Sequence, residues 1–261
     1  MPRLNRDGVE LYYEVHGDGP PVLLTHGYSS SSHMWEGQVA AFSKHFKLIT
    51  WDMRGHGHSD YPDDLGAYTE AATVADMAAI LDAVGAKRAV IGGLSLGGYM
   101  SLAFHLVHPE RTAALLIIDT GPGYKSDAPR DGWNVTAIKR AERLEAEGLP
   151  KGGGAETRTA PHRDAVGLAK AARGMLTQHD ARVISSLPEI RVPALVLVGA
   201  DDTPFLAASD YMAAKIPGAK KVVIPDAGHA ANIDQPEAFN AAIVGFLTEA
   251  GLDKAPAGTP A

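Results

Sequence analysis

The stretch Ala89-Val90-Ile91-Gly92-Gly93-Leu94-Ser95-Leu96-Gly97-Gly98 decides how the chain is read. Its first three residues form a short apolar run of the kind that makes a strand buried on both faces. From Leu96 to Val107 the apolar spacing becomes helical. Between the two, Ser95 has glycine two positions before it and two after it. A serine on a sharp strand-to-helix turn requires this, because neighbouring backbone comes too close there for larger side chains. The turn also sets Ser95 at a helix N-terminus, where the dipole and unpaired N–H groups favour developing negative charge. The five-residue pattern alone can arise by chance in a chain with 28 glycines. The strand before it and the helix after it point to a nucleophile.

Similar apolar runs lie on both sides of this turn: Val22 to Thr25, Leu48 to Trp51, Ala114 to Ile118, Ala194 to Val198 and Val222 to Ile224. Helical patterns separate them at Met34 to Lys44, Glu70 to Val84, Phe205 to Lys215 and Pro236 to Ala250. Leu4 to Val15 reads as a hairpin turning at Asp7-Gly8. This alternation predicts an α/β fold, a mostly parallel central sheet flanked by helices. From Gly121 to Leu187 it breaks, with helical segments at Val135 to Glu147 and Asp164 to Leu176 separated by Lys151-Gly152-Gly153-Gly154. The expected organisation is a core of residues 1–120 and 188–250, a small helical cap at 121–187, and a Pro-, Gly- and Ala-rich tail at 251–261, read as disordered. A long decorated crossover is the alternative to a cap. The cap is preferred because ligands in open α/β sheets bind beyond the carboxyl ends of the strands.

Composition narrows the functional classes. The 24 Lys and Arg against 31 Asp and Glu give a formal charge of −7, with no basic block. Nucleic acid and anionic membrane surfaces are therefore not expected partners. No apolar run reaches the roughly 18 residues of a membrane span, and Met1 to Gly19 lacks the apolar core of a secretion signal, so a cytoplasmic location is expected. The chain has no cysteine, which excludes a thiol nucleophile, disulfides and thiolate metal sites. His56 and His58 are too few for a metal site, so neither metal nor cofactor is expected.

Three further motifs sit at strand ends: His26-Gly27-Tyr28, Asp52-Met53-Arg54-Gly55-His56-Gly57-His58-Ser59, and Gly228-His229 followed by Gln235-Pro236-Glu237-Ala238-Phe239. Together with the Ser95 turn they make the chain, from Leu4 to Ala250, resemble the α/β-hydrolase family. A serine hydroxyl needs an imidazole within hydrogen-bond reach and a carboxylate to orient it. Of eleven histidines, His229 occupies the loop after the last strand, in the chain order Ser, acid, His of this fold. His26 and His56 are the minor alternatives, and the resemblance makes them structural. For the acid, the family's Gly-x-x-Asp pattern falls on Asp202, leaving Asp201 to local backbone or solvent. Asp119 is the runner-up, because some relatives carry the acid after that strand. The oxyanion donors implied are the backbone N–H groups of Leu96 and Tyr28.

Met34, Trp35, Tyr124, Trp133 and Phe205 are candidate pocket residues, with ordinary packing an equal alternative for each. The charged run of Lys139, Arg140, Glu142, Arg143, Glu145 and Glu147 reads as a solvated helix face, from which no substrate charge is inferred. The function expected is a serine hydrolase cleaving small carboxylic esters or lactones through an acyl-enzyme. The motifs look most like the carboxylesterase and 3-oxoadipate enol-lactonase branches. A serine at the elbow excludes the branches that carry a carboxylate there. A cofactor-free haloperoxidase, a C–C bond hydrolase and a ligand receptor without turnover stay as alternatives. Oligomeric state is not legible.

Overall fold

A computed structural model describes residues 2–158 and 160–254. The strands are β1 (Arg3–Arg6), β2 (Val9–His16), β3 (Pro21–Thr25), β4 (Lys47–Trp51), β5 (Ala89–Leu94), β6 (Thr112–Ile118), β7 (Ala194–Gly199) and β8 (Lys220–Ile224). They form one sheet in the order β1-β2-β4-β3-β5-β6-β7-β8. The β1–β2 and β2–β4 pairs are antiparallel, and every other pair is parallel. The hairpin turns where Asp7-Gly8 was expected to turn it, both residues having positive φ.

Alternation along the buried strands explains their continuous apolar runs. Leu23, Ile49, Ile91, Leu115, Ile117 and Val196 belong to one apolar cluster. Val22, Leu24, Leu48, Val90, Leu116, Ile118, Leu195 and Leu197 belong to a second cluster on the other face. Successive side chains point to opposite faces, so helices on both sides are needed to cover them. Full burial stabilises the fold by roughly 1.5–3 kcal/mol for each such side chain. The covering helices are α1 (Glu36–Phe42), α2 (Glu70–Ala83) and α3 (Leu96–Val107), then α4 (Asp127–Glu147), α5 (Ala155–Arg158), α6 (Ala165–Ala171) and α7 (Arg182–Ser186), and finally α8 (Thr203–Lys215), α9 (Ala231–Asp234) and α10 (Pro236–Glu249).

The segment between β6 and β7 contains no strand among the described residues. Helix α4 starts earlier than the apolar spacing suggested, at Asp127, because Pro129 falls in its first turn, where no intrahelical N–H is required. The second expected helix is divided. Asp164 caps α6 by accepting from the Gly167 N–H at 3.0 Å, and Ala172–Leu176 continues as a π-helical turn. The tail expectation falls largely on residues 255–261, outside the described residues. No helix among the described residues is long and apolar enough to cross a membrane.

Parallel register brings the carboxyl ends of five strands to one edge of the sheet. Thr25 of β3 pairs with Gly93 of β5, Leu94 with Ile118 of β6, Ile118 with Leu197 of β7, and Gly199 with Ile224 of β8. The loops bearing His26, Ser95, Asp119, Asp202 and His229 therefore leave the sheet side by side.

Candidate active site

Ser95 has φ 56° and ψ −117°, a left-handed backbone that a non-glycine residue adopts only under constraint. Its N–H donates to the Ile118 carbonyl at 3.0 Å, and its own carbonyl accepts from the Tyr99 N–H at 3.1 Å, opening α3. The Thr120 hydroxyl donates to that same carbonyl at 2.6 Å. The two flanking glycines allow this turn. A Cβ on Gly97 would lie 2.1 Å from the Thr25 carbonyl oxygen, and one on Gly93 would lie 2.5 Å from both Thr25 O and Gly97 C. Both obstacles are backbone and cannot swing aside.

His229 and Asp202 meet as the chain order suggested. His229 Nδ1 lies 2.8 Å from Asp202 Oδ2. A carboxylate only accepts, so Nδ1 carries the proton and Nε2 is left with a free lone pair. Asp202 is 4% exposed, whereas Asp201 is exposed and its N–H donates to the Ala227 carbonyl at 2.9 Å. The Phe205 ring stacks on His229 with centroids 5.0 Å apart, which restricts the tilt of the imidazole. Ser95, Asp202 and His229 all line one cavity of 1120 Å³.

The His26 loop touches this group from the β3 side: a Cβ on Gly27 would stand 3.4 Å from the Ser95 Cβ. The Tyr28 and Leu96 N–H groups donate to no protein acceptor among the described residues. An unpaired pair of N–H donors flanking a serine is available to an anionic oxygen. His26 itself is committed elsewhere. Its Nδ1 donates to the Gly27 carbonyl at 2.7 Å, and its Nε2 accepts from the Met53 N–H at 3.0 Å. Burial pushes its pKa down to about 4, so it stays neutral and has no free lone pair. His56 is also buried and held well below the ordinary value by burial, with Nδ1 directed to the Arg54 carbonyl at 3.0 Å. Neither competes with His229. Asp52 accepts from the N–H groups of Ser32 at 2.6 Å and His58 at 2.7 Å, tying the two loops together.

Asp119 does not contact His229. It ends β6 with φ 43°, is completely buried, and accepts from the Gly199 N–H at 2.7 Å. Burial first, then the neighbouring Asp202 carboxyl, push its pKa up to about 8.

The pocket expectation divides. Tyr124, Trp133 and Phe205 line a second, smaller chamber of 200 Å³ beside Ser95, together with Leu96, Met175 and Leu176. Trp133 and Phe205 also face the large cavity and stand between the two. The Trp133 indole is fixed by donating to the Leu176 carbonyl at 2.7 Å. Met34 and Trp35, by contrast, are not pocket residues. They are 4% and 0% exposed, packed in the second apolar cluster with Phe239. The short 3₁₀ turn Ser32–Trp35 carries them away from the site toward α10. It is held there by Asn232, whose amide donates to the Met34 carbonyl at 2.7 Å.

The charged run on α4 is solvated as expected, Lys139, Arg140, Glu142, Arg143, Glu145 and Glu147 all being exposed. Arg143 and Glu147 form the i,i+4 pair expected of a solvated face, yet Arg140, Arg143 and Glu147 face the large cavity. Arg140 makes no ion pair among the described residues and sits 5.5 Å above the Tyr28 ring. Sequence spacing could not show that part of this exposed face borders a cavity, because the cavity is created by packing α4 across the Tyr28 loop. His162 had no local signal either. Its Nδ1 accepts from the Gly57 N–H at 3.1 Å and its Nε2 donates to the Ser29 carbonyl at 2.9 Å, joining the segment to both loops. No group of three or more His, Asp or Glu that could hold a metal occurs among the described residues.

The chain belongs to the α/β-hydrolase family, whose sequence profile matches residues 22–242. It is 29% identical to 3-oxoadipate enol-lactonase 1 of Acinetobacter baylyi, over 93% of this chain and 95% of that protein. The fold superposes on the enol-lactonase of Burkholderia xenovorans with TM-score 0.78 and 30% identity, covering 95% of this chain and 100% of that one. It also superposes on a thermophilic esterase of Thermogutta terrifontis, determined with malate bound, with TM-score 0.82 and 30% identity, covering 96% and 99%. This chain is accordingly a hydrolase of that family.

Proposed function

We propose that this chain is a serine hydrolase of small carboxylic esters or lactones, with Ser95, His229 and Asp202 as its triad. The observation that carries the reading is the His229–Asp202 hydrogen bond of 2.8 Å, opening on the cavity that Ser95 also lines. The Ser95 hydroxyl adds to the substrate carbonyl carbon while its proton passes to His229 Nε2. The Tyr28 and Leu96 N–H groups hold the oxyanion as the tetrahedral carbon forms. Collapse expels the alcohol, which takes the proton from His229 and leaves an ester on Ser95. Water then adds to the acyl carbon as His229 Nε2 takes one of its protons, that proton passes to the departing Ser95 oxygen, and the carboxylic acid leaves with the other. Asp202 holds the Nδ1–H tautomer and stabilises the imidazolium without taking its proton.

Residues 121–187 act in this reading as a cap. They supply Tyr124, Trp133 and Leu176 to the small chamber and Arg140 to the large one. A volume of 200 Å³ lies below the usual range of ligand pockets, about 300–1,000 Å³, and suits a short apolar group on one side of the scissile bond. A p-nitrophenyl ester series from acetate to octanoate, run beside γ- and δ-lactones, tests the assignment. Turnover is expected to be greatest for the short esters and absent in Ser95→Ala. Turnover retained in Ser95→Ala, or none on any ester or lactone by folded protein, overturns it.

A second, narrower reading is favoured by Arg140. An unpaired guanidinium in the large cavity fits a substrate bearing a carboxylate remote from the scissile bond, as an enol-lactonase-like activity requires. Arg140→Ala should then raise KM for a hemisuccinate ester about tenfold and leave the matching neutral ester unaffected. Equal effects on both esters exclude the charge reading while leaving the triad in place.

A further inference from the structure

His229 is supported by one carboxyl and, one step behind it, by a second. Asp119 leaves β6 next to β7, the strand that leads into Asp202, and its N–H donates to the Leu197 carbonyl at 2.9 Å. Its left-handed backbone at φ 43° turns the carboxyl back under the β7 loop, where Oδ1 accepts from the Gly199 N–H at 2.7 Å. Oδ2 is buried and receives no hydrogen bond from any donor among the described residues. Asp202 is the neighbouring carboxyl: its N–H closes on the carbonyl of Gly199 at 3.1 Å, the same residue whose N–H Asp119 Oδ1 receives. Asp119 is 0% and Asp202 4% exposed, and no Lys or Arg forms an ion pair with either among the described residues. The titratable neighbours are thus each other and, beyond Asp202, His229; the Ala231 N–H also faces Asp119.

Two neighbouring buried carboxyls with no Lys or Arg paired to either do not readily both ionise. One proton must lie between them. Asp202 receives the imidazole N–H of His229. Asp119 has only backbone donors and deeper burial. We propose that Asp119 is a positioning residue that stays protonated and donates its Oδ2–H to the Asp202 carboxylate, clamping the acid of the triad from the side away from His229. This rests on the triad assignment above. The orphaned Oδ2 thereby gains a partner, and the site carries a single negative charge behind the imidazole.

The arrangement has an alkaline limit. When Asp119 loses its proton the clamp is lost and replaced by repulsion, so Asp202 no longer holds His229 in one orientation. Asparagine at position 119 can accept from the Gly199 N–H through its oxygen and donate to Asp202 through its amide, at every pH. The test is the pH profile of p-nitrophenyl acetate hydrolysis for the wild type, Asp119→Ala and Asp119→Asn, with Ser95→Ala as the blank for spontaneous hydrolysis.

Asp119→Ala is expected to lower kcat tenfold or more at pH 7 with KM little changed, and Asp119→Asn to recover most of that loss. Wild-type kcat should fall severalfold above about pH 8, while the Asn variant keeps its plateau. Melting supplies a second readout. The folded value of Asp119 is raised above its unfolded one, so its contribution is fully present below about pH 4 and is lost as pH rises through about 8. The Tm advantage of Asp119→Asn over wild type should therefore grow across that window. Identical alkaline profiles in wild type and Asp119→Asn, with a pH-independent Tm difference, overturn the proposal and leave Asp119 a structural residue. An inactive Asp119→Asn beside an active Asp202→Asn overturns the triad assignment itself. If Asp119→Ala does not fold, the Asp-to-Asn comparison decides alone.

Discussion

The loops at the strand ends and the helices between β6 and β7 enclose the same cavity by different means. Ser95 and Asp119 are held by backbone hydrogen bonds to adjoining strands, and the Asp202 turn closes through its own N–H onto the Gly199 carbonyl. The helical segment joins the core by side-chain packing, Leu168, Ala171, Met175 and Leu176 sharing one buried apolar cluster with Tyr28, Leu96 and Tyr99, and by separate hydrogen bonds. The Tyr28 hydroxyl donates to the Leu168 carbonyl at 2.8 Å, the Ser30 hydroxyl to the Glu156 carbonyl at 2.5 Å, and His162 bridges Ser29 and Gly57. A sheet ladder fixes position collectively, so the chemistry sits where displacement is costly. Individual contacts can be exchanged one at a time. The cavity-facing side chains of the helical segment are thus the part of the site whose shape and charge can change without disturbing the backbone that holds Ser95.

The strongest challenge to this contrast is Asp202→Asn. It should lower kcat by about 10⁴ without unfolding the chain, since the amide preserves shape but favours the wrong imidazole tautomer. Measured kcat near the wild-type value would mean that the strand ends do not hold the chemistry. Acid is the next probe, because it acts where the two regions meet. His26, His56 and His162 are held neutral below their ordinary values, chiefly by burial. Their folded values lie below their unfolded ones, so stability is complete above about pH 6.5 and falls as pH drops toward their folded values. For His26, at about 4, the loss is on the order of 3 kcal/mol. Chemical denaturation at pH 7 and pH 5 reads about 2 kcal/mol of it, and His162→Gln should flatten the difference by removing one of the three.

Trp133→Ala sharpens the comparison from the helical side. Removing the wall between the two chambers should raise kcat/KM for hexanoate relative to acetate about tenfold, with acetate turnover itself little changed. A parallel loss on every ester would place Trp133 in the fixed machinery. The smallest expected effect is at Arg173, which pairs with Glu145 at 2.8 Å across a partly exposed surface. Solvent screens such a pair, so Glu145→Ala should move Tm by no more than about 3 °C and leave kcat unchanged.

The strand-end region was also the legible one. A buried strand followed by glycines and a helix is a local pattern, and Ser95 sits where that pattern set it. His229 and Asp202 followed from chain order and the family's spacing. Met34 and Trp35 were misread because proximity to the His26 loop in sequence says nothing about the direction of the following turn. It runs toward Phe239 and α10. Arg140 lies on the solvated face expected for it, but i,i+4 spacing cannot show that another element leaves a cavity beside that face. Asp119 was weighed only as a rival to Asp202; the two carboxyls being neighbours is a consequence of β6 lying beside β7.

The sequence by itself determined the alternating architecture, the serine turn and the absence of thiol chemistry. Each depends on residues close in the chain: period-two burial, glycine at a tight turn, and composition. Only the tertiary structure decided which side chains share the cavity, that Trp133, Leu176, Pro204 and Phe205 line both chambers, and that Asp119 and Asp202 converge on Gly199. Those depend on elements distant in sequence coming to one sheet edge, a relation set by packing and strand register.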